Sequence, residues 1–390
     1  MVQSSALSGA IEGARRGACP TLTEPMRTGD GLLARIRVLG NRLSPVQLAE
    51  LARLAGRHGN GLVEITARGN LQVRGLRPHG AAPFAAAVAA LLSIETGIVV
   101  DTSPLAGEDP AAKSDSRRAA AAIRAGAAKL PGALGPKVSV VVDGGGQVSL
   151  AALKADVRLL AEDGGRWAVT LGGGRTQSMD EDGAVAAALA MLGALAAMGP
   201  ESRATDLFPG PGPGPAKTRP NVGPFQLDTG ATWGIALPFG AMHWKNLLAL
   251  ASAARAKGIG ALRLAPGHAL LLDGADAALI AQATTLGFIT ASDDPRLRTS
   301  ACIGSSGCAS GHIPARELAA ALAGSIPAGQ SLHVSGCAKG CAHPRRADVT
   351  LVGRPDGIGL VIDGRAGDTP SQILDEAGIG TALAGGQEGR

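Results

Sequence analysis

The 390-residue sequence predicts an α+β protein in which one two-part unit occurs twice. Three observations predict it. The segment QLAELARLAGRHGNGLVEITARGNLQVRG (47–75) recurs as NLLALASAARAKGIGALRLAPGHALLLDG (246–274) at a constant offset of 199, pairing Leu48 with Leu247, Leu51 with Leu250, Gly61 with Gly260, Leu71 with Leu270 and Gly75 with Gly274. ADVRLLAEDGGRWAV (155–169) recurs as ADVTLVGRPDGIGLV (347–361) at an offset of 192, pairing Asp156 with Asp348, Leu159 with Leu351, Gly165 with Gly357 and Val169 with Val361. Between the copies lies FPGPGPGPAKTRPNVGP (208–224), whose prolines and glycines exclude helix and central strand and read as an exposed linker. Both matches run without gaps through turns as well as helices, which argues against chance alignment of Ala/Leu/Gly-rich sequence. The expected molecule is pseudo-two-fold, with its ligand where the halves meet.

Taken in order, residues 1–107 form an N-terminal segment and a first half-domain, 108–207 a first α/β subdomain, 208–224 the linker, 225–293 a second half-domain and 294–390 a second α/β subdomain. In the first half-domain Leu48, Leu51 and Leu54 fall at helical spacing, followed by a glycine turn and the strand pair GLVEI and LQV. In the first α/β subdomain RRAAAAIRAGAAKL (117–130) reads as a solvated helix and LGPKVSVVVD as a strand. The GGG runs at 144–146 and 172–174 read as turns that end strands. Neither has the G-x-G-x-x-G context between strand and helix, so no dinucleotide fold is expected.

Composition narrows the function. Hydrophobic residues make up 45% of the chain, yet no apolar run reaches the 18 or so residues of a membrane span, and no membrane partner is expected. MVQSSALSGAIEGARRGACP lacks the apolar centre of a secretory signal. Five cysteines, an odd number in a large chain, fit a reducing cytoplasm with free thiolates better than a disulfide framework. With 2% aromatic residues, no Tyr and no Lys/Arg-rich block, base-stacking surfaces are hard to build, so nucleic acid is not an expected partner.

Four of the cysteines form a constellation. Cys302 and Cys308 make C-x5-C, and after a 28-residue gap Cys337 and Cys341 make C-x3-C. Four thiolates are the ligand set of an iron–sulfur cluster or a structural zinc. Zinc sites favour tighter pairs than C-x5-C, and the surrounding glycines and serines let backbone approach a bulkier group, so a [4Fe–4S] cluster is expected. In ITARGNLQVRG, strand alternation would put Thr66, Arg68, Asn70, Gln72 and Arg74 on one polar face, suited to a ligand with several carboxylates. The second copy carries Ala265, Gly267, Ala269, Leu271 and Asp273 at those positions, so the site is expected to be one-sided.

The cysteine pairs behind a duplicated α/β unit resemble the sulfite and nitrite reductases that couple a [4Fe–4S] cluster to sirohaem, over nearly the whole chain. The resemblance implies a nitrite/sulfite reductase-like fold of ferredoxin-like and cluster-binding α/β subdomains. It also implies that Arg68 and Gln72 face a tetrapyrrole and that Cys341 bridges cluster and sirohaem iron. Of the family's two anion-holding lysines, Lys137 matches the first, but Ser139 stands at the second, and Gly97 fills the place of an expected arginine. RRGACPTLTEPMRTGDGLLARIRVLG (15–40), EITARGNLQVRGL and SPLAG (103–107) are similar to a sister branch, the precorrin-3B synthases. That resemblance implies an oxidoreductase that hydroxylates precorrin-3A at C-20 with O2 and closes a γ-lactone, in aerobic cobalamin (vitamin B12) biosynthesis. It further implies a mononuclear non-haem iron beside the cluster, an anionic tetrapyrrole as substrate instead of sirohaem, and NADH electrons arriving through a reductase or ferredoxin partner. No 2-His-1-carboxylate spacing is present; His333 lies near the cluster loops and Asp30 in the N-terminal segment, and His343 and Cys19 are the residues to test as iron ligands. The alternatives are a sirohaem-dependent ferredoxin/NAD(P)H sulfite or nitrite reductase and a non-catalytic tetrapyrrole-binding protein.

Overall fold

The computed structural model describes residues 19–212 and 218–385. The expectations for a leader-free start and for the middle of the Pro/Gly linker lie outside the described residues, at 1–18 and 213–217. The first half-domain runs β1 (Met26–Thr28), β2 (Gly31–Ile36), β3 (Arg42–Leu43), α1 (Pro45–His58), β4 (Leu62–Ile65), β5 (Leu71–Leu76) and α2 (Pro78–Leu91). The first α/β subdomain follows as β6 (Val99–Thr102), α3 (Ser116–Ala127), β7 (Ser139–Asp143), β8 (Val157–Ala161), β9 (Trp167–Leu171), β10 (Gln177–Met179), α4 (Glu181–Met198) and α5 (Ala204–Leu207). The second half-domain repeats the first as β11 (Gly223–Leu227), β12 (Gly230–Ala236), β13 (Ala241–His243), α6 (Trp244–Ala256), β14 (Leu262–Ala265), β15 (Ala269–Asp273) and α7 (Ala277–Thr285). The chain closes with β16 (Thr299–Ala301), α8 (Ala315–Leu322), β17 (Leu332–Ser335), β18 (Ala347–Arg354), β19 (Gly357–Gly364), β20 (Gln372–Leu374) and α9 (Gly378–Gly385).

These strands form four five-stranded sheets, two from each half. The ferredoxin-like sheets have the orders β1-β2-β5-β4-β13 and β11-β12-β15-β14-β3, so each half donates one short edge strand to the other's sheet. This exchange covers an otherwise open edge and interlocks the halves. Helix α1 begins at Ser44, whose side chain accepts from Gln47 N–H while Gln47 returns a bond to the Ser44 backbone, a capping box. Its buried stripe of Leu48, Leu51 and Leu54 packs in one core with Leu247 and Leu250 of α6, the duplicated positions. Helices α1 and α6 approach so closely that a Cβ on Gly56 would stand 2.8 Å from the Trp244 ring.

The α/β sheets, β10-β9-β8-β7-β6 and β16-β17-β18-β19-β20, also correspond. Asp156 accepts the Ser139 N–H at 3.1 Å in the first and Asp348 accepts the Ser331 N–H at 2.8 Å in the second, so the 192-residue offset extends to single hydrogen bonds. Helix α3 is not merely solvated, because Ala119, Ala120 and Ile123 bury one face against the first α/β sheet. Helix α4 is long and apolar enough to cross a membrane by length and composition, but Ala184, Ala188, Leu192 and Leu195 lie in the subdomain core. In the last sheet β16, β17 and β18 are parallel, and the carboxyl ends of β16 and β17 open side by side into the cysteine loops. That is where α/β sheets generally hold ligands.

Candidate functional site

Parallel pairing brings distant cysteines together. Cys302 directly follows β16, Cys308 follows the turn at Gly304–Ser306, and Cys337 and Cys341 lie on the loop leaving β17. The Gly336 N–H donates to Cys302 Sγ at 3.1 Å. A Cβ on Gly336 would stand 2.9 Å from Gly304 Cα and 3.4 Å from that sulfur, so only glycine fits this cradle. Burial pushes the Cys341 thiol up, and Cys337, Cys302 and Cys308 push it further, a cost that a bound cationic centre removes by holding the thiolates. Four thiols on two glycine-lined loops, with backbone N–H aimed at sulfur, fit an iron–sulfur cluster. Among the described residues no three His, Cys, Asp or Glu side chains stand assembled around one metal position, the four thiols included, and no ligand set for a mononuclear iron is brought together.

Beside these loops opens a cleft of about 480 Å³. Cys302 and Cys341 line one wall, β2, β4 and β5 of the first ferredoxin-like sheet supply another, and Phe239 and His268 of the second half close a third. Its polar floor is a chain of side chains crossing subdomains. Arg316 Nη2, at the start of α8, donates to Glu64 Oε1 at 2.5 Å; Glu64 Oε2 accepts from Gln72 Nε2 at 2.8 Å; Gln72 Oε1 accepts from Arg35 Nε at 2.8 Å. Arg316 Nε and Nη1 are buried with no hydrogen-bond partner, and Arg35 has no ion-pair partner among the described residues. Buried donors of this kind are costly unless a ligand oxygen completes them.

Several expected residues sit elsewhere. Thr66–Asn70 is a hairpin turn between β4 and β5 rather than part of a strand face, closed by the Thr66 N–H to Asn70 O bond at 2.8 Å and by Gly69 at φ +82°. Thr66 lines the cleft, but Arg68 points away, donating to Asp101, to the Lys154 carbonyl and, at 3.4 Å, to Ser139 Oγ. Asn70 does not line the cleft. Lys137 is exposed in the turn before β7 and does not reach it either. Gln72 and Arg74 do share one face of β5 as expected, yet Arg74 is held by both Asp30 oxygens at 3.0 Å. Asp30 is lowered from the ordinary carboxylate range: burial opposes this, and hydrogen bonds from Arg74 and Thr28 outweigh it.

Cys19 and His343, the residues to test as iron ligands, lie in different surroundings, as do Asp30 and His333 near them in sequence. Cys19 lies beside Arg35, and Asp30 belongs to the Arg74 pair. His333 is fully buried on β17 with both ring nitrogens unbonded, its pKa lowered to about 4 by burial and by His343, whose ring lies 5.5 Å away. Sequence reasoning missed Arg35, Arg316, Phe239 and His268. For the last two a signal existed, since the 199-residue offset sets Phe239 against Gly40 and His268 against Gly69.

Comparison with known proteins agrees with this architecture. The family described as nitrite/sulfite reductase ferredoxin-like half domain matches residues 24–91. The structure of the Mycobacterium tuberculosis NirA protein superposes with a TM-score of 0.66 at 19% identity, covering 90% of this chain and 79% of that one, which is a likeness of fold. A precorrin-3B synthase from a Sinorhizobium species is 38% identical over 409 aligned residues, spanning 97% of this chain and 89% of the relative. Full-length identity at that level, on a nitrite/sulfite reductase-like fold with its cysteine loops facing a basic cleft, makes this chain a member of the precorrin-3B synthase family.

Proposed function

We propose that the protein hydroxylates precorrin-3A at C-20 with O2 and closes the γ-lactone, the reaction of precorrin-3B synthases. The observation that carries the reading is the cleft itself. It places the unsatisfied guanidinium donors of Arg316, and the guanidinium of Arg35, in a cleft that Cys302 and Cys341 also line. A macrocycle with several carboxylates supplies the oxygens those donors lack, and Arg–carboxylate pairing is bidentate and directional. Glu64 and Gln72 hold the two guanidiniums in place, and Thr66 offers a hydroxyl at the rim. Cys302, Cys308, Cys337 and Cys341 hold a [4Fe–4S] cluster, which supplies single electrons when bound. The electrons derive from NADH through a reductase or ferredoxin partner, in a reducing cytoplasm that fits five cysteines with no disulfide among them.

Two features favour this reading over sulfite or nitrite reduction. Ser139, at the place of a second anion-holding lysine, is 3% exposed, bonded to Asp156 through its N–H and near Arg68 through its hydroxyl. Gly97, at the place of the expected arginine, has φ +75°, a backbone that arginine rarely adopts. A site without those charges loses much of the electrostatic stabilisation that a small reacting anion needs. The test is the content of anaerobically purified protein. Iron and acid-labile sulfide at about four each per chain, a broad cluster absorption and no extractable sirohaem are expected. One sirohaem per chain would contradict the reading.

A further inference from the structure

The two halves differ in a way that points at one side chain. At two duplicated positions the first half has glycine in the left-handed region, Gly40 at φ +70° and Gly69 at φ +82°. The second half keeps the left-handed backbone at both but installs Phe239 at φ +52° and His268 at φ +65°. Left-handed backbone is uncommon for a side-chain-bearing residue; it is an outlier for a bulky one such as Phe239, while histidine visits it more readily, and such positions concentrate where a side chain must be aimed. Both of these side chains line the cleft beside the cysteines. A side chain at Gly69 would be crowded, its Cβ 3.0 Å from the Ala265 carbonyl carbon on a backbone at φ +82°. The pseudo-two-fold is therefore broken at the ligand.

We propose that His268 is the general base of the cleft, its Nε2 taking the proton of a pyrrolic N–H of the bound macrocycle; this rests on the tetrapyrrole reading above. The imidazole is held in one tautomer. Its Nδ1 lies 2.6 Å from the Ile65 carbonyl oxygen, which can only accept, so Nδ1 carries the hydrogen and Nε2 the lone pair. No hydrogen bond to Nε2 exists among the described residues, and the ring faces the cavity.

Elimination agrees. The cleft's guanidiniums, of Arg35, Arg74, Arg296 and Arg316, offer donors and no accepting atom. Glu64 has both oxygens committed, to Arg316 and Gln72. Cys302 and Cys341 are assigned to the cluster. Among the described lining residues His268 keeps a free accepting atom. Burial lowers its pKa, opposed by the Ile65 carbonyl and by Glu64 and reinforced by Arg316, which keeps the ring neutral and accepting at physiological pH. In the step, as the carbon–oxygen bond forms and positive charge develops on the conjugated framework, the acidified pyrrole N–H bond breaks and an Nε2–H bond forms. The N–H electron pair stays on the nitrogen and neutralises that charge.

The experiment uses cluster-loaded protein, precorrin-3A, O2 and reductant, with His268→Asn and His268→Gly. Asparagine tolerates left-handed backbone and glycine is at ease there, so both variants are expected to fold with unchanged cluster absorption. We expect kcat to fall about 100-fold or more, with the substrate dissociation constant from absorbance titration little changed. The acid limb of kcat/KM, set by protonation of His268 below the ordinary histidine range, is expected to disappear in both variants. Added imidazole should restore part of the His268→Gly rate. Variants that keep wild-type kcat and the acid limb would overturn the proposal while leaving the tetrapyrrole reading intact. Wild-type protein that binds no precorrin-3A would overturn both.

Discussion

Gly29→Ala is a one-carbon change remote in sequence from the cysteines, and the structure makes it a change to the cluster loop. A Cβ at residue 29 would stand 2.5 Å from Ala309 N and 2.8 Å from Cys308 Cα, both backbone atoms. Reaching an ordinary contact of 3.4 Å requires Ala309 N to retreat by about 0.9 Å and Cys308 Cα by about 0.6 Å, in packing as dense as a crystal. Metal–ligand distances tolerate about 0.2 Å, so the Cys308 sulfur would leave the ligand position proposed for it unless the N-terminal hairpin yields instead. Overpacking of this size costs about 1–3 kcal/mol. The assay is iron and sulfide per chain after anaerobic reconstitution, with a melting curve on the same sample. We expect cluster content to fall by half or more and the melting temperature to drop. Full cluster content at an unchanged melting temperature would refute the contact between hairpin and cluster loop.

Three further outcomes follow from named contacts. Cys341→Ser should lose cluster absorption and activity together, measured on the reconstituted variant. Retained absorption would remove Cys341 from the ligand set. Arg316→Met removes two unsatisfied donors, and hydrogen bonds to charged groups contribute about 1.5–3 kcal/mol, so precorrin-3A should bind roughly 10- to 100-fold more weakly by absorbance titration. For Asp30 the folded pKa lies below the unfolded value, because hydrogen bonds from Arg74 and Thr28 outweigh burial. Its stabilisation is present above the unfolded pKa of about 3.9 and lost as pH falls through the lower folded value, so Asp30→Asn should flatten the fall of melting temperature below about pH 4.

Much of the architecture was written in local pattern. Leu48, Leu51 and Leu54 recur at 247, 250 and 253 as Leu, Leu and Ala, and the helices they mark share one core. The four cysteines were legible because metal-ligand chemistry needs particular atoms at particular spacing, whatever the surrounding fold. The polar strand was read too long. Gly69 and the Thr66 hydroxyl, which accepts from the Arg68 and Asn70 N–H groups, turn the chain there, so Arg68 leaves the cleft for Asp101. Short exchanged strands such as β3 and β13 carry no pattern of their own, since two or three residues cannot show a period. Arg35 and Arg316 were invisible for a different reason. They meet only through Glu64 and Gln72, and that contact between β4 and α8 exists only once the subdomains are docked.

Mass spectrometry of the product formed from precorrin-3A under 18O2 with the cluster-loaded protein and a reductant tests the central claim most directly. Product carrying one added oxygen atom, labelled from 18O2 and absent when O2 is withheld, is the predicted result. Unchanged precorrin-3A, alongside reduction of sulfite or nitrite by the same preparation, would contradict the account.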